Sequence, residues 1–233
     1  MPRFSNDVRS YLASIFRLGF GMRRASGARP PAQPLVLYEF EACPYCRKAR
    51  EALSHLDIDV EVRPVAKGSP RRAELKARGG KMMVPYLVDP TSGREMYESD
   101  DIVRYLYATY GNGRVPAIFR IPLLGNLLSY LASAVRPTHG LRVVEGRKPA
   151  PAQPLELYNM ESSPYCRKVR EALSELDLIH LVRNVPKESP KRGALAARAG
   201  KVQVPYLIDP NTGREMLESD DIVGYLRATY GPG

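Results

Sequence analysis

Short apolar runs alternate with amphipathic stretches in residues 31–111. The apolar runs are bounded by proline, glycine and aspartate, and they predict strands at 35–40, 58–65, 86–88 and 95–97. Apolar residues at helical spacing predict helices at 45–56, 70–78 and 99–110, the last of them capped by Ser99. The order β-α-β-α-β-β-α contains a parallel strand pair joined by a helix and then a hairpin. It therefore predicts an α/β sheet with helices on its faces.

The same pattern returns after 120 residues because this part of the chain is duplicated. Residues 31–111 align without a gap with residues 151–231, and 54 of the 81 pairs are identical. A period of this length indicates a repeated domain rather than a solenoid unit. We therefore expect a leader at 1–30, a first domain at 31–111, a linker at 112–150 and a second domain at 151–233. The high identity also favours a pseudo-two-fold pairing of the two domains.

The leader and the linker share a helical pattern of their own. Tyr-Leu-Ala-Ser occurs at 11–14 and again at 130–133. Apolar residues at helical spacing form one stripe in each segment: Val8, Tyr11, Leu12, Ile15 and Phe16 in the leader, and Leu124, Leu127, Leu128, Leu131 and Val135 in the linker. Such a stripe usually faces a core, so we expect these helices to pack on their own domains or on each other.

All of the net charge of +10 lies in the leader and the linker. Residues 1–30 and 112–150 each carry six basic and one acidic side chain, whereas both domains are neutral. Two alternatives to core packing follow: the basic helices bind an anionic membrane surface, or residues 1–30 target an organelle. There is no basic face interleaved with aromatic residues, so we expect no nucleic acid partner. No uncharged stretch reaches the about 20 residues that a membrane-spanning helix needs.

Cys43 and Cys46 form a Cys-Pro-Tyr-Cys motif between a predicted strand and a predicted helix. A helix N-terminus stabilises a thiolate, and two intervening residues bring both sulfurs to one turn. Arg47 and Lys48 add positive charge next to the motif. The chain has three cysteines and three scattered histidines, too few for a zinc site or a disulfide scaffold, so no metal is expected. The spacing favours thiol redox chemistry, and the alternative is a pair of unreactive thiols.

These motifs carry a family resemblance. Cys-Pro-Tyr-Cys-Arg-Lys at 43–48 resembles a dithiol glutaredoxin. Val-Pro-Tyr-Leu at 84–87, Glu-Ser-Asp at 98–100 and Gln-Val-Pro-Tyr-Leu at 203–207 resemble the N-terminal, thioredoxin-like domain of glutathione S-transferases. The resemblance implies an α/β protein of two tandem thioredoxin-like domains with helical leader segments. It also implies that the all-helical C-terminal domain of transferases is missing.

The resemblance further implies a role for individual residues, with glutathione as the cosubstrate. Cys43 would be the catalytic nucleophile and Cys46 the resolving thiol. The implied glutathione-binding residues are Tyr45, Val84, Pro85, Glu98 and Ser99 in the first copy, and Ser163, Tyr165, Val204, Pro205, Glu218 and Ser219 in the second. Both prolines would follow cis peptide bonds, the valine backbones would pair with the cysteinyl part of glutathione, and each Glu-Ser pair would hold its γ-glutamyl end. The alternative for each Glu-Ser-Asp is a helix cap alone.

The two copies differ at the first position of the motif, where Cys43 is replaced by Ser163. A serine hydroxyl is no redox nucleophile near neutral pH, so we expect the second copy to bind glutathione or to be structural. The leading hypothesis is a glutathione-dependent thiol–disulfide oxidoreductase acting on glutathionylated or disulfide substrates in the cytoplasm, a reducing compartment. The alternatives are a glutathione transferase-like enzyme and a non-catalytic tandem module held at a membrane surface or on a partner.

Overall fold

The computed structural model describes residues 3–17 and 19–233, without the side chains of residues 3–6 and 122–124. The first half comprises α1 (Arg3–Phe16), β1 (Leu35–Glu39), α2 (Pro44–His55), β2 (Val60–Pro64), α3 (Arg71–Gly79), β3 (Tyr86–Asp89), β4 (Arg94–Met96) and α4 (Ser99–Tyr110). The second half comprises α5 (Ala117–Arg120), α6 (Pro122–Ala134), β5 (Leu155–Asn159), α7 (Pro164–Glu175), β6 (His180–Asn184), α8 (Lys191–Ala199), β7 (Tyr206–Asp209), β8 (Arg214–Met216) and α9 (Ser219–Tyr230). The element order predicted for each copy is confirmed.

Each copy folds as a small α/β unit. In the first unit, β1 is parallel to β2 and antiparallel to β3, and β3 pairs with β4 as a hairpin. The second unit repeats this arrangement with β5 to β8. The apolar face of β1 packs with α2 and α4, whereas the opposite face packs with α3. The sheet of each unit is therefore covered on both faces, as expected for a parallel strand pair joined by a helix.

The two units share one sheet. Over the described residues the strand order is β4-β3-β1-β2-β6-β5-β7-β8, so the second half mirrors the first. The junction is an antiparallel pairing of β2 and β6, with Val60 opposite Val182 and Val62 opposite His180. Val182 belongs to the apolar core beneath α2 and α4, so that core crosses the junction. The pseudo-two-fold pairing predicted from the repeat is present in this form.

The junction is also charged and buried. Arg50 of α2 forms ion pairs with Glu39, Glu41 and Glu161. Arg170 of α7 also forms ion pairs with Glu41 and Glu161. These two carboxylates, one from each unit, are therefore shared by the two arginines. All five side chains are at most 4% exposed. A buried network of this kind is stable only while its members are paired, so it ties the two units together.

The leader helices pack on exchanged units. The helix α1 packs against α7 of the second unit, α6 packs against α2 of the first unit, and the two helices also pack against each other. Arg17 at the end of α1 reaches back to Glu51 of α2, with nitrogen–oxygen distances of 2.8 and 2.5 Å. Arg136 after α6 reaches Glu171 of α7 in the same way, at 2.5 Å. The two helices pack against each other, as expected. However, α1 lies on the second unit and α6 on the first, so neither helix packs mainly on the unit that follows it in the chain.

The predicted orientation of the leader stripes is wrong. Val8, Tyr11, Leu12 and Ile15 of α1 are exposed, and Phe16 is half-buried. Among the described side chains of that helix, the buried ones are Ser10 and Ala13. The same holds for α6, where Leu127 and Leu131 are exposed, Leu128 and Val135 are half-buried, and Gly125, Ser129 and Ala132 are buried. The side chain of Leu124 lies outside the described residues. The inner faces are small and polar because they meet the polar first turns of α2 and α7, which need close approach and hydrogen bonds.

The start of α4 also differs from the sequence prediction. Ser99 is the first helical residue rather than the cap, and Glu98 takes the cap position with φ 64° and no side-chain capping bond. A residue in the left-handed region turns the chain sharply, so the helix begins directly after it. Within the described part of the chain, none of the helices combines the length and the apolar character that crossing a bilayer requires.

Candidate active site

The Cys-Pro-Tyr-Cys turn joins β1 to α2 and places Cys43 at the N-cap of the helix. Pro44 occupies the first helical position, where a missing N–H leaves no bond unmade. The Cys43 Sγ accepts a hydrogen bond from the Cys46 backbone N–H at 3.3 Å. Cys43 is 4% exposed and Cys46 is fully buried. The fold therefore brings the two thiols to one turn, and Cys43 is the slightly more accessible of the two.

The two thiols differ in acidity. A hydrogen bond from the Cys46 side chain lowers the pKa of Cys43, and backbone N–H groups of the first helical turn lower it further against the opposing effect of burial. Burial raises the pKa of Cys46 well above its usual value, and its bond to Cys43 adds to this. Cys43 is therefore the more acidic thiol of the pair, and Cys46 is its proton-bearing donor.

Of the two basic residues after the motif, Lys48 has its ionic partner on another helix. The ammonium group of Lys48 forms an ion pair with Asp100 at the start of α4 and donates to the Asn126 Oδ1 of α6 at 3.0 Å. Arg47 is buried, and burial lowers its pKa. We expected these two cations to act on the thiols of the motif, and this is not supported. The pKa of Cys43 is lowered mainly by hydrogen bonds and not by either cation.

Two further segments of the first unit border this turn. Tyr38 near the end of β1 pairs with Tyr86 at the start of β3, so the Val84-Pro85 peptide lies at the same sheet end as Cys43. That peptide bond is cis. The ion pair between Lys48 and Asp100 holds the start of α4 beside α2, and this places the exposed Glu98 and the buried Ser99 nearby.

The second unit repeats the geometry with an oxygen in place of the sulfur. The Ser163 Oγ accepts from the Cys166 backbone N–H at 3.3 Å, and burial raises the pKa of Cys166. The Val204-Pro205 peptide bond is cis. Glu218 differs from its counterpart because the Gln203 Nε2 donates to its Oε1 at 2.7 Å. The corresponding residue of the first unit is a methionine, which offers no such bond.

Sequence reasoning missed the contacts that α1 and α6 make with the two turns. The Ser129 Oγ donates to the Pro44 carbonyl at 2.6 Å, and the Tyr130 hydroxyl donates to the Tyr45 hydroxyl at 2.8 Å. In the second unit, Ser10 and Tyr11 make the same bonds to Pro164 and Tyr165, at 2.7 and 2.8 Å. The signal was the shared Ser-Tyr-Leu-Ala-Ser at 10–14 and 129–133. The serines and tyrosines of this shared segment, rather than its apolar stripe, make the contacts with the two turns.

The donor groups around the turns do not assemble a metal site. Over residues 3–17 and 19–233, no group of three or more histidine, cysteine, aspartate or glutamate side chains has a geometry suited to a metal ion. The three cysteines in the described chain are free and buried. What the first turn offers chemically is one activated thiol, a second thiol within the same helical turn and a neighbouring cis-proline segment.

Comparison with known proteins gives matches to both units. The family model "Glutathione S-transferase, N-terminal domain" matches residues 37–114 and again residues 157–233. A glutathione S-transferase-like protein of Aspergillus fumigatus is 36% identical over 80 residues, which make up 34% of this chain and 35% of that protein. The match to this curated relative thus covers about a third of its length. A solved trimeric glutathione transferase from Leishmania aligns over 87% of this chain and 68% of its own, with a TM-score of 0.31 and 16% identity.

Proposed function

This chain belongs to the family of glutathione S-transferase N-terminal domains, and we propose that it is a glutathione-dependent thiol–disulfide oxidoreductase whose nucleophile is Cys43. The observation that carries the proposal is the difference between the two thiols of one helical turn. The pKa of Cys43 is lowered, whereas the pKa of the buried Cys46 is raised. Such a pair presents one thiolate to a substrate and keeps the second thiol in reserve.

The proposed reaction begins with a mixed disulfide between glutathione and a substrate. The Cys43 thiolate attacks the glutathione sulfur, the disulfide bond breaks, and the substrate leaves as a thiolate that takes up a proton from water. A glutathione thiolate then attacks the glutathione sulfur bound to Cys43, which releases glutathione disulfide and restores the Cys43 thiolate. Per turnover, one free glutathione is consumed, the substrate thiol is released, and the glutathionyl group that the substrate carried leaves as half of glutathione disulfide.

A second route would use Cys46 to resolve the intermediate. Its thiolate would attack the Cys43 sulfur and release glutathione, leaving a disulfide between the two cysteines. Cys46 is fully buried and its pKa is raised, so little of it is thiolate near neutral pH. We therefore propose that free glutathione resolves most of the intermediate.

We propose that glutathione binds at the surface beside the first turn. Tyr45, Val84 and Pro85 would contact its cysteinyl part, and Glu98 with Ser99 would hold its γ-glutamyl end at the start of α4. Two of these features favour the assignment: the exposed Glu98 side chain makes no capping bond, and backbone N–H groups at a helix start suit a carboxylate.

The second unit would offer the equivalent residues Ser163, Tyr165, Val204, Pro205, Glu218 and Ser219. Because Gln203 already holds Glu218, we propose that the second unit is mainly structural.

The decisive experiment is the reduction of a glutathionylated peptide, coupled to glutathione reductase. The full chain is expected to turn the peptide over, and Cys43→Ser is expected to lose more than about 100-fold in kcat/KM, because a hydroxyl cannot replace the thiolate. Cys166→Ser is the matched control and is expected to keep wild-type turnover, since Cys166 is buried with a raised pKa. Activity that survives Cys43→Ser would refute the proposal.

A transferase activity is the second candidate, favoured by one observation in the second unit. The hydroxyl of Ser163 occupies the N-cap position that the thiol of Cys43 occupies in the first unit. From there it is able to donate to the thiolate of bound glutathione. Conjugation of glutathione to an electrophile that survives Cys43→Ser but is lost in Ser163→Ala would favour this candidate over the first.

A further inference from the structure

Both leader helices turn their large apolar side chains outward. On α1, Tyr11 is 44% and Ile15 is 64% exposed, and on α6, Leu127 is 53% and Tyr130 is 48% exposed. We call the set Val8, Tyr11, Leu12, Ile15, Leu127, Tyr130 and Leu131 the outer face. Scattered apolar residues are normal on a protein surface, but a set that recurs at helical spacing on two neighbouring helices is not.

The outer face is one continuous surface. The helices α2, α4, α7 and α9 cover one side of the shared sheet, and α1 and α6 lie on α7 and α2 as a further layer. The two outer helices touch, since the Arg17 Nη1 donates to the Gly125 carbonyl at 2.9 Å. Their inner faces bind the protein, so their opposite faces point away from it, side by side.

The fold does not require this apolar surface. Inner-face contacts of Ser10, Ser129, Arg17 and Arg136 hold α1 and α6 in place, and the hydroxyls of Tyr11 and Tyr130 add one bond each. A helix held by small and polar residues has no structural need for leucine and isoleucine on its solvent side. The outward stripe therefore has to be explained by something that binds it.

The charge around the outer face is positive. Arg9 of α1 and Arg120 just before α6 are exposed, and the structure gives neither a carboxylate partner among the described residues. The acidic side chain of α1, Asp7, pairs with Lys168, and α6 has Asn126 at the equivalent position. The leader and the linker as a whole carry the entire net charge of +10.

We propose that the outer face binds an anionic lipid surface, with α1 and α6 lying flat on the headgroups. Amphipathic helices of this kind bury an apolar face at the acyl boundary and gain from attraction between their cations and anionic lipids. Tyr11 and Tyr130 have the amphipathic character of residues at that boundary. Their hydroxyls contact Tyr165 and Tyr45 of the two turns, so bound lipid would lie next to both turns.

The charge favours lipid over a second copy of the chain. A symmetric dimer through the outer face would place Arg9 and Arg120 of both copies around one interface. It would also join two molecules that each carry a net charge of +10. Like charges brought together oppose association, whereas an anionic bilayer gains from the same charges.

The test is cosedimentation of the full chain with phosphatidylcholine vesicles, with and without about a third of phosphatidylglycerol. The wild-type protein is expected to bind the anionic vesicles and to be released by high salt. Ile15→Glu and Leu127→Glu are each expected to weaken binding by about tenfold or more, because a charge replaces the inserted side chain. Arg9→Glu is expected to weaken binding about fivefold at low salt.

The matched control is Val202→Glu, which replaces a side chain that is 43% exposed and lies outside both helices. It is expected to bind vesicles as the wild type does, and urea unfolding verifies that all variants are folded. Failure of the wild type to bind anionic vesicles overturns the proposal, as does equal binding by Ile15→Glu. A wild-type dimer that Ile15→Glu converts to a monomer would instead assign the outer face to self-association, and this also overturns it.

Discussion

Cys43 and Ser163 occupy the same N-cap position of α2 and α7, and each accepts a hydrogen bond from the backbone N–H three residues further on, at 3.3 Å. The backbone geometry of the two turns is nearly the same, with φ −70° at both residues. The difference is the ionisable group. A thiol at this position is acidified by its donors, whereas a serine hydroxyl stays protonated throughout the physiological range. One side-chain atom thus separates the proposed active unit from its partner.

The donor that lowers the pKa of Cys43 can be removed. Cys46→Ala removes the side-chain bond, so the pKa of Cys43 is expected to rise, whereas Cys46→Ser keeps a donor and is expected to raise it less. The measurement is the rate of iodoacetamide labelling against pH in a Cys166→Ser background. Labelling of Cys43 reports its thiolate, so the curve shifts to higher pH as the pKa rises.

The same pair of variants tests the resolving step. If free glutathione resolves the intermediate, Cys46→Ser retains at least about a third of wild-type turnover with a glutathionylated peptide. Complete loss of turnover in Cys46→Ser, with labelling of Cys43 intact, would show that the buried thiol is the obligatory resolving group.

At the scale of elements, α1 and α6 are helices that the sequence predicts correctly, but the face that each helix buries is predicted wrongly. The spacing of apolar residues predicts two helices, and both are present. The spacing carries no information on which face meets the protein. That choice depends on the partner surface. Here the partners are α2 and α7, whose first-turn carbonyls bond to serines and whose later glutamates bond to arginines.

The inverted burial predicts an unusual mutational pattern in α6. Ala132 is fully buried, so Ala132→Leu is expected to destabilise the protein by about 1–3 kcal/mol through overpacking. Leu131 is 39% exposed, so Leu131→Ala is expected to cost no more than about 0.5 kcal/mol. Urea unfolding of the two variants measures both values. The reverse order of destabilisation would mean that the apolar stripe faces the core after all.

At the scale of the molecule, the buried charges at the junction are not symmetric. Burial raises the pKa of Glu39 to about 7, although Arg50 opposes this. Burial would also raise the pKa of Glu41, but Arg170 and Arg50 hold it down at about 2. The second unit has Asn159 in the place of Glu39, where the amide oxygen accepts from the Arg170 Nη1 at 2.6 Å. An amide therefore satisfies the arginine without carrying a titratable charge.

Glu39 makes the stability of the whole protein depend on pH. The folded protein holds a proton on Glu39 up to about pH 7, whereas the unfolded chain releases it near its ordinary pKa of about 4.5. The stabilising contribution of this proton is complete below about pH 4.5 and is lost as the pH rises through about 7. Between pH 5 and pH 8, the free energy of unfolding of wild type is expected to fall by about 1–3 kcal/mol because of Glu39. Glu39→Gln lacks the titrating group, so this part of the fall is expected to be absent from the variant.

The measurement is urea unfolding of wild type and Glu39→Gln at several values of pH between 5 and 8. Wild type is expected to lose stability over this range relative to the variant. Parallel curves for the two proteins would show that Glu39 is ionised in the folded state throughout, as its neighbour Glu41 is.

Much of the fold and part of the candidate site could be predicted from the sequence. The strands and helices of each unit follow from local periodicity, glycine and proline positions and the duplication, and these act within short stretches of chain. The Cys43 turn follows from the same local signals, because a thiol at a strand-to-helix boundary lies at the helix N-terminus. The cap of α4 was missed at Ser99 because the left-handed conformation of Glu98 leaves no clear trace in residue type.

The sequence by itself determined two α/β units, their motifs and the helices of the basic leader and linker, since each depends on neighbours along the chain. Only the tertiary structure decided the pairing of β2 with β6, the exchange of α1 and α6 between the units and the burial of Arg50 with three carboxylates. Each of these features joins residues that are distant along the chain, such as Ser129 with Pro44 and Arg50 with Glu161. Their free energies come from contacts that no local pattern encodes, and the orientation of the outer face is one of them.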